Sequence, residues 1–146
     1  MKPGLEATIS RSPDETQQLG IQIAKLLQRG DTVALLGDMG AGKTVLAKGI
    51  CQGLGFKGDV TSPSYTHLHH YSGEVNILHV DYFLDQSATS VFDLGLDEYI
   101  GDDCITLIEW ADRFPQSLPE DCWWIKITLI PNDPESRNIE ISRLRN

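Results

Sequence analysis

Apolar positions along the chain follow two different periods, and the changes between them mark out the elements. In "SPDETQQLGIQIAKLLQRG" Leu19, Ile23, Leu26 and Leu27 recur at helical spacing. Ser12 is placed as the N-cap, Pro13 in the first turn, Glu15 as the partner of a capping box, and Gly30 as a suitable stop. That spacing predicts a structural helix. "LEATI" before it reads as a first strand, and "TVALL" after it has the short, unbroken apolar run of a buried strand. "VLAKGICQGL" returns to the helical period and ends near Gly53 to Gly55. "THLHHYSGEVNILHVDYF" predicts two strands joined by a turn at Ser72-Gly73-Glu74. "SATSVFDLGLDEYIGDD" is polar and broken by Gly95 and Gly101, which predicts short helical pieces, whereas "CITLIEW" is an apolar strand ending in an acid. "WWIKITLI" and "NIEISRL" alternate in the β manner across Pro131-Asn132-Asp133-Pro134 and predict a terminal hairpin. Trp123 and Trp124 are adjacent, so they face opposite sides of that strand.

Strands interleaved with helices give an α/β domain with a mostly parallel central sheet, antiparallel additions and a C-terminal hairpin. A chain of 146 residues with no repeat, linker or low-complexity tract is expected to be one domain, residues 1–146, with room for a real core. The formal net charge of −9, with Lys and Arg scattered, argues against a chain that grips a nucleic-acid backbone unaided. An RNA substrate would have to be held by a partner. No apolar run approaches the ~20 residues of a membrane span, and no basic-then-apolar leader opens the chain. Three cysteines without a Cys-x-x-Cys spacing fit reduced thiols, so the expected location is cytoplasmic, away from membranes.

The chemistry concentrates in "LLGDMGAGKTVLAKG", where Gly37, Asp38, Met39, Gly40, Ala41, Gly42, Lys43 and Thr44 satisfy the P-loop spacing and Val45 continues into a helix. Glycine lets successive N–H groups converge on a phosphate, and the positive end of the following helix faces the same anion. Lys43 would reach the outer phosphates, and the Thr44 hydroxyl would ligate Mg²⁺. Strand, loop and helix in that order predict a three-layer P-loop NTPase-like domain using ATP/ADP and Mg²⁺. Such a loop needs acids at neighbouring strand ends, and Asp81 and Glu109 are the candidates, each for metal and for catalysis. Asp81 fits magnesium better and Glu109 fits the attacking water better, without sequence deciding between them. "DVTSPSYTH" is either a plain turn or a loop beside the γ-phosphate that lends a hydroxyl, such as that of Thr61, to the metal. His67, His69, His70 and His79 lack the Cys or carboxylate that would complete a zinc set, so they read as ordinary strand positions. Trp110 either walls the nucleotide or simply packs.

Taken together, "GDMGAGKTVLAKGICQGLG", "VTSPSYT", "LHVDYF", "DLGLDEYI" and "LIEWADR", in this order, resemble the bacterial TsaE family, from about Ser12 to Leu129. The resemblance implies a small P-loop ATPase needed for threonylcarbamoyladenosine in tRNA, slow alone and stimulated by partners. It implies action with the TsaB–TsaD pair, and contact with tRNA only through them. Position by position, it puts Lys43 on phosphates, Thr44 on magnesium, Thr61 to Thr66 in a switch-like loop and Asp81 as the Walker-B-like acid. Glu109 and Trp110 match the pair near the nucleotide, and Arg113 matches a basic residue shortly after it. Where the family usually reads Asp-x-Tyr-Arg, this chain has Asp81-Tyr82-Phe83-Leu84, so any contact of that arginine falls to Arg113 or a partner. No Asn-Lys-x-Asp or Asp-x-x-Gly segment supports a Ras-type GTPase. A small-molecule kinase would add an arginine-rich lid, for which the six unclustered arginines offer little; a nucleotide-binding module without useful hydrolysis is the other alternative.

Overall fold

In the computed structural model of the chain, the described residues are 4–38, 40–60, 68–81, 103–111 and 118–143. Ser12 opens the first helix as its sequence predicts. Its side chain accepts the Glu15 N–H at 3.1 Å, Pro13 stands in the first turn, and the helix α1 runs Pro13–Ala24 behind the strand β1, Gly4–Ser10. The helix stops before Gly30, however. Lys25 caps it, and tight turns carry the chain onward, so Leu26 swings out to 52% exposure while Leu27 stays buried. Leu26 therefore does not belong to the buried face that its spacing suggested. Gly30, at φ 92°, closes the turn into the next strand, with its N–H on the Cys104 carbonyl.

The strand β2, Thr32–Leu36, leads through the glycine loop to the helix α2, Lys43–Gly53. β3, Leu68–Tyr71, and β4, Ile77–Asp81, form the expected antiparallel pair. β5, Ile105–Glu109, β6, Trp123–Ile130, and β7, Asp133–Arg143, complete one sheet in the order β1-β7-β6-β2-β5-β4-β3. Its centre, β6-β2-β5-β4, is parallel, and β3 on one side with β7 and β1 on the other are antiparallel. This is the α/β architecture with antiparallel additions that the pattern predicts. The terminal hairpin is tighter than its turn signal implied: only Pro131 and Asn132 lie outside the strands, with Asn132 at φ 66°. The register then jumps from Ile130↔Asp133 to Leu129↔Arg137, which makes room for an irregular stretch around Ser136. The first strand of this hairpin is built into the parallel centre beside β2. The segments 82–102 and 112–117, with the predicted short helical pieces, lie outside the described residues.

Along the central strands nearly every residue is buried, and alternate residues fall into two clusters on opposite faces of the sheet. Val33, Leu35, Ile105, Leu107, Ile125, Ile127 and Ile77 pack under α1 and α2, whereas Ala34, Ile108, Leu78 and Val80 form a second cluster. Trp123 joins the first cluster and Trp124 the second, on opposite faces as expected. The two helices approach closely at glycines. A methyl on Gly20 would stand 2.6 Å from the Leu46 carbonyl, and one on Gly49 would collide with the Gln17 carbonyl. Cys51 is fully buried on α2, and that burial pushes its thiol up to about 12.

Candidate nucleotide site

The loop leaves β2 pressed against β6, since a methyl on Gly37 would come within 2.8 Å of the Ile127 carbonyl. Gly40 and Gly42 are different. Their φ values are 82° and 109°, and a methyl on either would meet nothing within 4 Å. Gly42 is the N-cap of α2, where no side chain caps the helix and no acid lies in the first turn. The first-turn N–H groups and their partial positive charge are thus directed out of the helix end. Lys43 is buried, with 6% exposure; its Nζ donates to the Gly37 carbonyl at 2.5 Å and sits 3.4 Å from the centre of the Trp110 ring. Trp110 reaches that place from a left-handed backbone, φ 59°, directly after Glu109 at the end of β5. The indole packs, and what it packs on is the loop lysine.

A second brace comes from β7. Arg137 Nε donates to the Ala41 carbonyl at 2.8 Å and Nη2 reaches the Gly40 carbonyl at 3.4 Å, while Nη1 bonds the carbonyls of Pro134 and Ser136. Beside it, a cavity of about 270 Å³ is bounded by the loop at Gly40 to Gly42, by Val45, by Pro13 and Thr16 of α1, and by Pro134, Glu135 and Arg137. A larger cavity of about 570 Å³, lined by Gln17, Lys48, Gln52, Phe56, Lys57 and Val60 among others, shares no residue with the loop.

The two strand-end acids come together. Asp81 and Glu109 are the last residues of β4 and β5 and stand opposite each other in parallel register. Glu109 is buried, and its Oε2 lies 2.6 Å from His79 Nε2. His79 Nδ1 is 3.3 Å from the Tyr71 hydroxyl, which is 3.2 Å from His69 Nδ1. His79 is therefore no ordinary strand position, because its ring contacts a candidate catalytic acid.

Of the predicted site residues, Lys43, Gly37 and Trp110 meet directly, Glu109 adjoins them through the chain, and Thr44 and Val45 are half-buried in the first turn of α2. Asp38 is exposed, with its carbonyl taking the Ala41 N–H. Met39, Thr61 and Arg113 lie outside the described residues, as does His67, and Asp81 is placed by its backbone alone. Sequence reasoning missed Arg137 and the His79–Tyr71 pair. Arg137 gives no local signal, since its partners Gly40 and Ala41 lie far off in the chain. His79 does: it is a polar residue inside an apolar strand, on the same strand face as Asp81 by alternation.

The donor set suits an anion with a hard cation. It comprises an uncapped helix N-terminus with the buried Lys43 beside it, chemistry that suits an anion, and the Thr44 hydroxyl and a strand-end carboxylate of Glu109, oxygen donors of the kind a hard cation takes. A parallel-centred sheet with a glycine loop between strand and helix, and acids at the adjacent strand ends, defines a P-loop-like α/β protein. The family model described as "Threonylcarbamoyl adenosine biosynthesis protein TsaE" matches residues 10–139. The chain belongs to the TsaE family. It is 37% identical over 112 residues to the tRNA threonylcarbamoyladenosine biosynthesis protein TsaE of Treponema pallidum, covering 77% of this chain and 83% of that one. It is 34% identical over 146 residues to the TsaE protein of Haemophilus influenzae, covering 94% and 90%. The crystal structure of YdiB from Bacillus subtilis superposes with a TM-score of 0.83 at 29% identity, over 100% of this chain and 90% of that one.

Proposed function

We propose that the chain binds and slowly hydrolyses ATP with Mg²⁺, as an accessory to threonylcarbamoyladenosine formation in tRNA, acting with the TsaB–TsaD pair in the cytoplasm. The observation that carries this reading is the convergence at one loop of an uncapped helix end, a lysine and a buried strand-end glutamate. In that reading the first-turn N–H groups of α2 and Lys43 hold the outer phosphates. Thr44 and Asp81 would hold Mg²⁺, which when bound neutralises charge on the transferred phosphoryl group. The cavity beside Gly40 to Gly42 has room for the base or ribose. Lys43 must exchange its bonds to Gly37 and Trp110 for phosphate oxygens, which favours slow turnover by the isolated chain. The acidic charge of −9 suits docking on basic protein surfaces and leaves tRNA to the partners.

The test is Mg²⁺-dependent ATP hydrolysis with and without a TsaB–TsaD pair, in wild type, Lys43→Ala and Glu109→Ala. Turnover that is slow alone, rises with the pair and falls about 100-fold or more in both variants is expected. Hydrolysis indifferent to the pair would sever the chain from that partnership, and absence of ATP binding would overturn the nucleotide reading.

A further inference from the structure

The carboxylate of Glu109 ends a line of side chains drawn from three strands. We infer that His79, steadied by Tyr71, is a positioning residue that fixes one oxygen of Glu109 and aims the other at the attacking water. The division of labour between the two acids follows: Glu109 takes the water, and the cation is left to Thr44 and Asp81. This rests on the ATP-hydrolysis reading above.

Register builds the line. His69 pairs with His79, Tyr71 with Ile77, and Asp81 with Glu109, so alternation brings His69, Tyr71, His79 and Glu109 to one face of β3, β4 and β5. In the proposed role Glu109 acts as a carboxylate, which only accepts hydrogen bonds, and the 2.6 Å contact then assigns the hydrogen to His79 Nε2. The Tyr71 hydroxyl at 3.3 Å from Nδ1 holds the opposite edge of the ring, and Tyr71 is itself fixed by stacking on Phe56 at 4.7 Å between centroids. The imidazole is gripped at both nitrogens, so it cannot turn without breaking both bonds. With side-chain exposures of 0% and 4%, His79 and Glu109 have almost no water to substitute for each other. A carboxylate with one oxygen committed in a short charge-assisted bond cannot also chelate a cation through both oxygens, and its remaining oxygen is held in direction. Stability alone gives no reason for this pair, because an apolar pair of similar volume is as good or better in a buried place. Its position does: the next residue, Trp110, covers Lys43. Two consecutive residues at the end of β5 are thus each held by a partner, one facing water chemistry and one facing the phosphates.

The experiment compares wild type, His79→Ala, His79→Gln and Tyr71→Phe by single-turnover ATP hydrolysis, by ATP affinity, and by nitrogen-15 NMR of the imidazoles in the nucleotide-free protein. His79→Ala should lose about 10–100-fold in rate with affinity within about 3-fold. His79→Gln, which keeps an N–H donor, should recover part of that rate, and Tyr71→Phe should lose several-fold. Both are near-isosteric and keep the readout if His79→Ala does not fold. The NMR should show His79 Nε2 protonated and its proton protected from exchange. Wild-type rate in His79→Ala, or a bare Nε2, overturns the positioning role alone. Rate and affinity lost together without rescue by Gln reduces His79 to a structural residue and overturns it too. ATP binding without any hydrolysis by wild type, even with partners, overturns the hydrolysis reading and this role with it.

Discussion

Gly42, the N-cap of α2, and Gly49, inside that helix, are glycines for opposite reasons. At Gly49 the backbone is helical and any residue could adopt it, but α1 lies so close that a methyl would strike the Gln17 carbonyl. At Gly42 a methyl would meet nothing within 4 Å, yet φ is 109°, where a side chain is strained. The same split separates Gly20 and Gly53, crowded by Leu46 and Ala24, from Gly40, which stands in open space at φ 82°. The glycines within α2 serve packing, and those of the loop that leads into it serve a left-handed backbone at the helix end where the proposed nucleotide would sit. Substitutions in the two sets should therefore separate stability from binding.

The largest effect is expected at Gly49. Gly49→Val forces α1 and α2 apart and should remove about 3 kcal/mol or more, a large part of the roughly 5–15 kcal/mol of a typical domain. Urea unfolding of this variant against Gly42→Ala checks it. The loop variant should lose only about 1–2 kcal/mol while binding ATP far more weakly. If Gly49→Val unfolds like wild type, the close helix crossing is not what the glycine serves.

Much of this was legible in the chain because the signals were local. Ser12, Pro13 and Glu15 announced α1, and the Gly-Lys-Thr ending announced the loop. Apolar runs ending in Asp81 and Glu109 marked the strand ends that the sheet sets opposite each other. What escaped was set by register and by contacts between distant segments. Leu26 fits a helical face, but the helix ends at Ala24 and turns it outward. Gly20 and Gly49 carry no local signal of their own, because the reason for them is the backbone of the partner helix. His79 was discounted for lacking a metal-ligand set, although its partner was the acid already singled out on the neighbouring strand.

Arg137 sharpens the comparison from the loop side. It holds the carbonyls of Ala41, Pro134 and Ser136 at 2.7–2.9 Å, so it ties the β6–β7 hairpin to the loop. Arg137→Ala should destabilise by about 1–2 kcal/mol through lost charge-assisted bonds and weaken ATP binding by about 10-fold. Arg137→Lys should recover little, because an ammonium cannot span several carbonyls at fixed angles. Calorimetric titration with ATP measures the binding, and unchanged affinity would leave the hairpin as a purely structural brace.

The smallest effect belongs to the packing of α2 and is read through pH. Cys51 is fully buried on α2, and burial alone raises its thiol from 9.0 to about 12. Above pH 9 the unfolded chain gives up this proton while the folded chain keeps it. The folded state then holds more protons, and stability falls as pH rises from about 9 toward 12. Cys51→Ala removes that linkage and leaves a small void, so at pH 7 it should be less stable than wild type by about 1 kcal/mol. Deprotonation of the unfolded thiol costs wild type about 2 kcal/mol by pH 10.5, so the two stability curves should cross between pH 9 and 10.5 and the variant should be the more stable above the crossing. Because Cys51 lies among the packed residues of α2, ATP affinity at neutral pH should not change. A parallel pair of stability curves between pH 8 and 10.5 would mean that the buried thiol ionises in the folded state, and that water reaches the far half of α2.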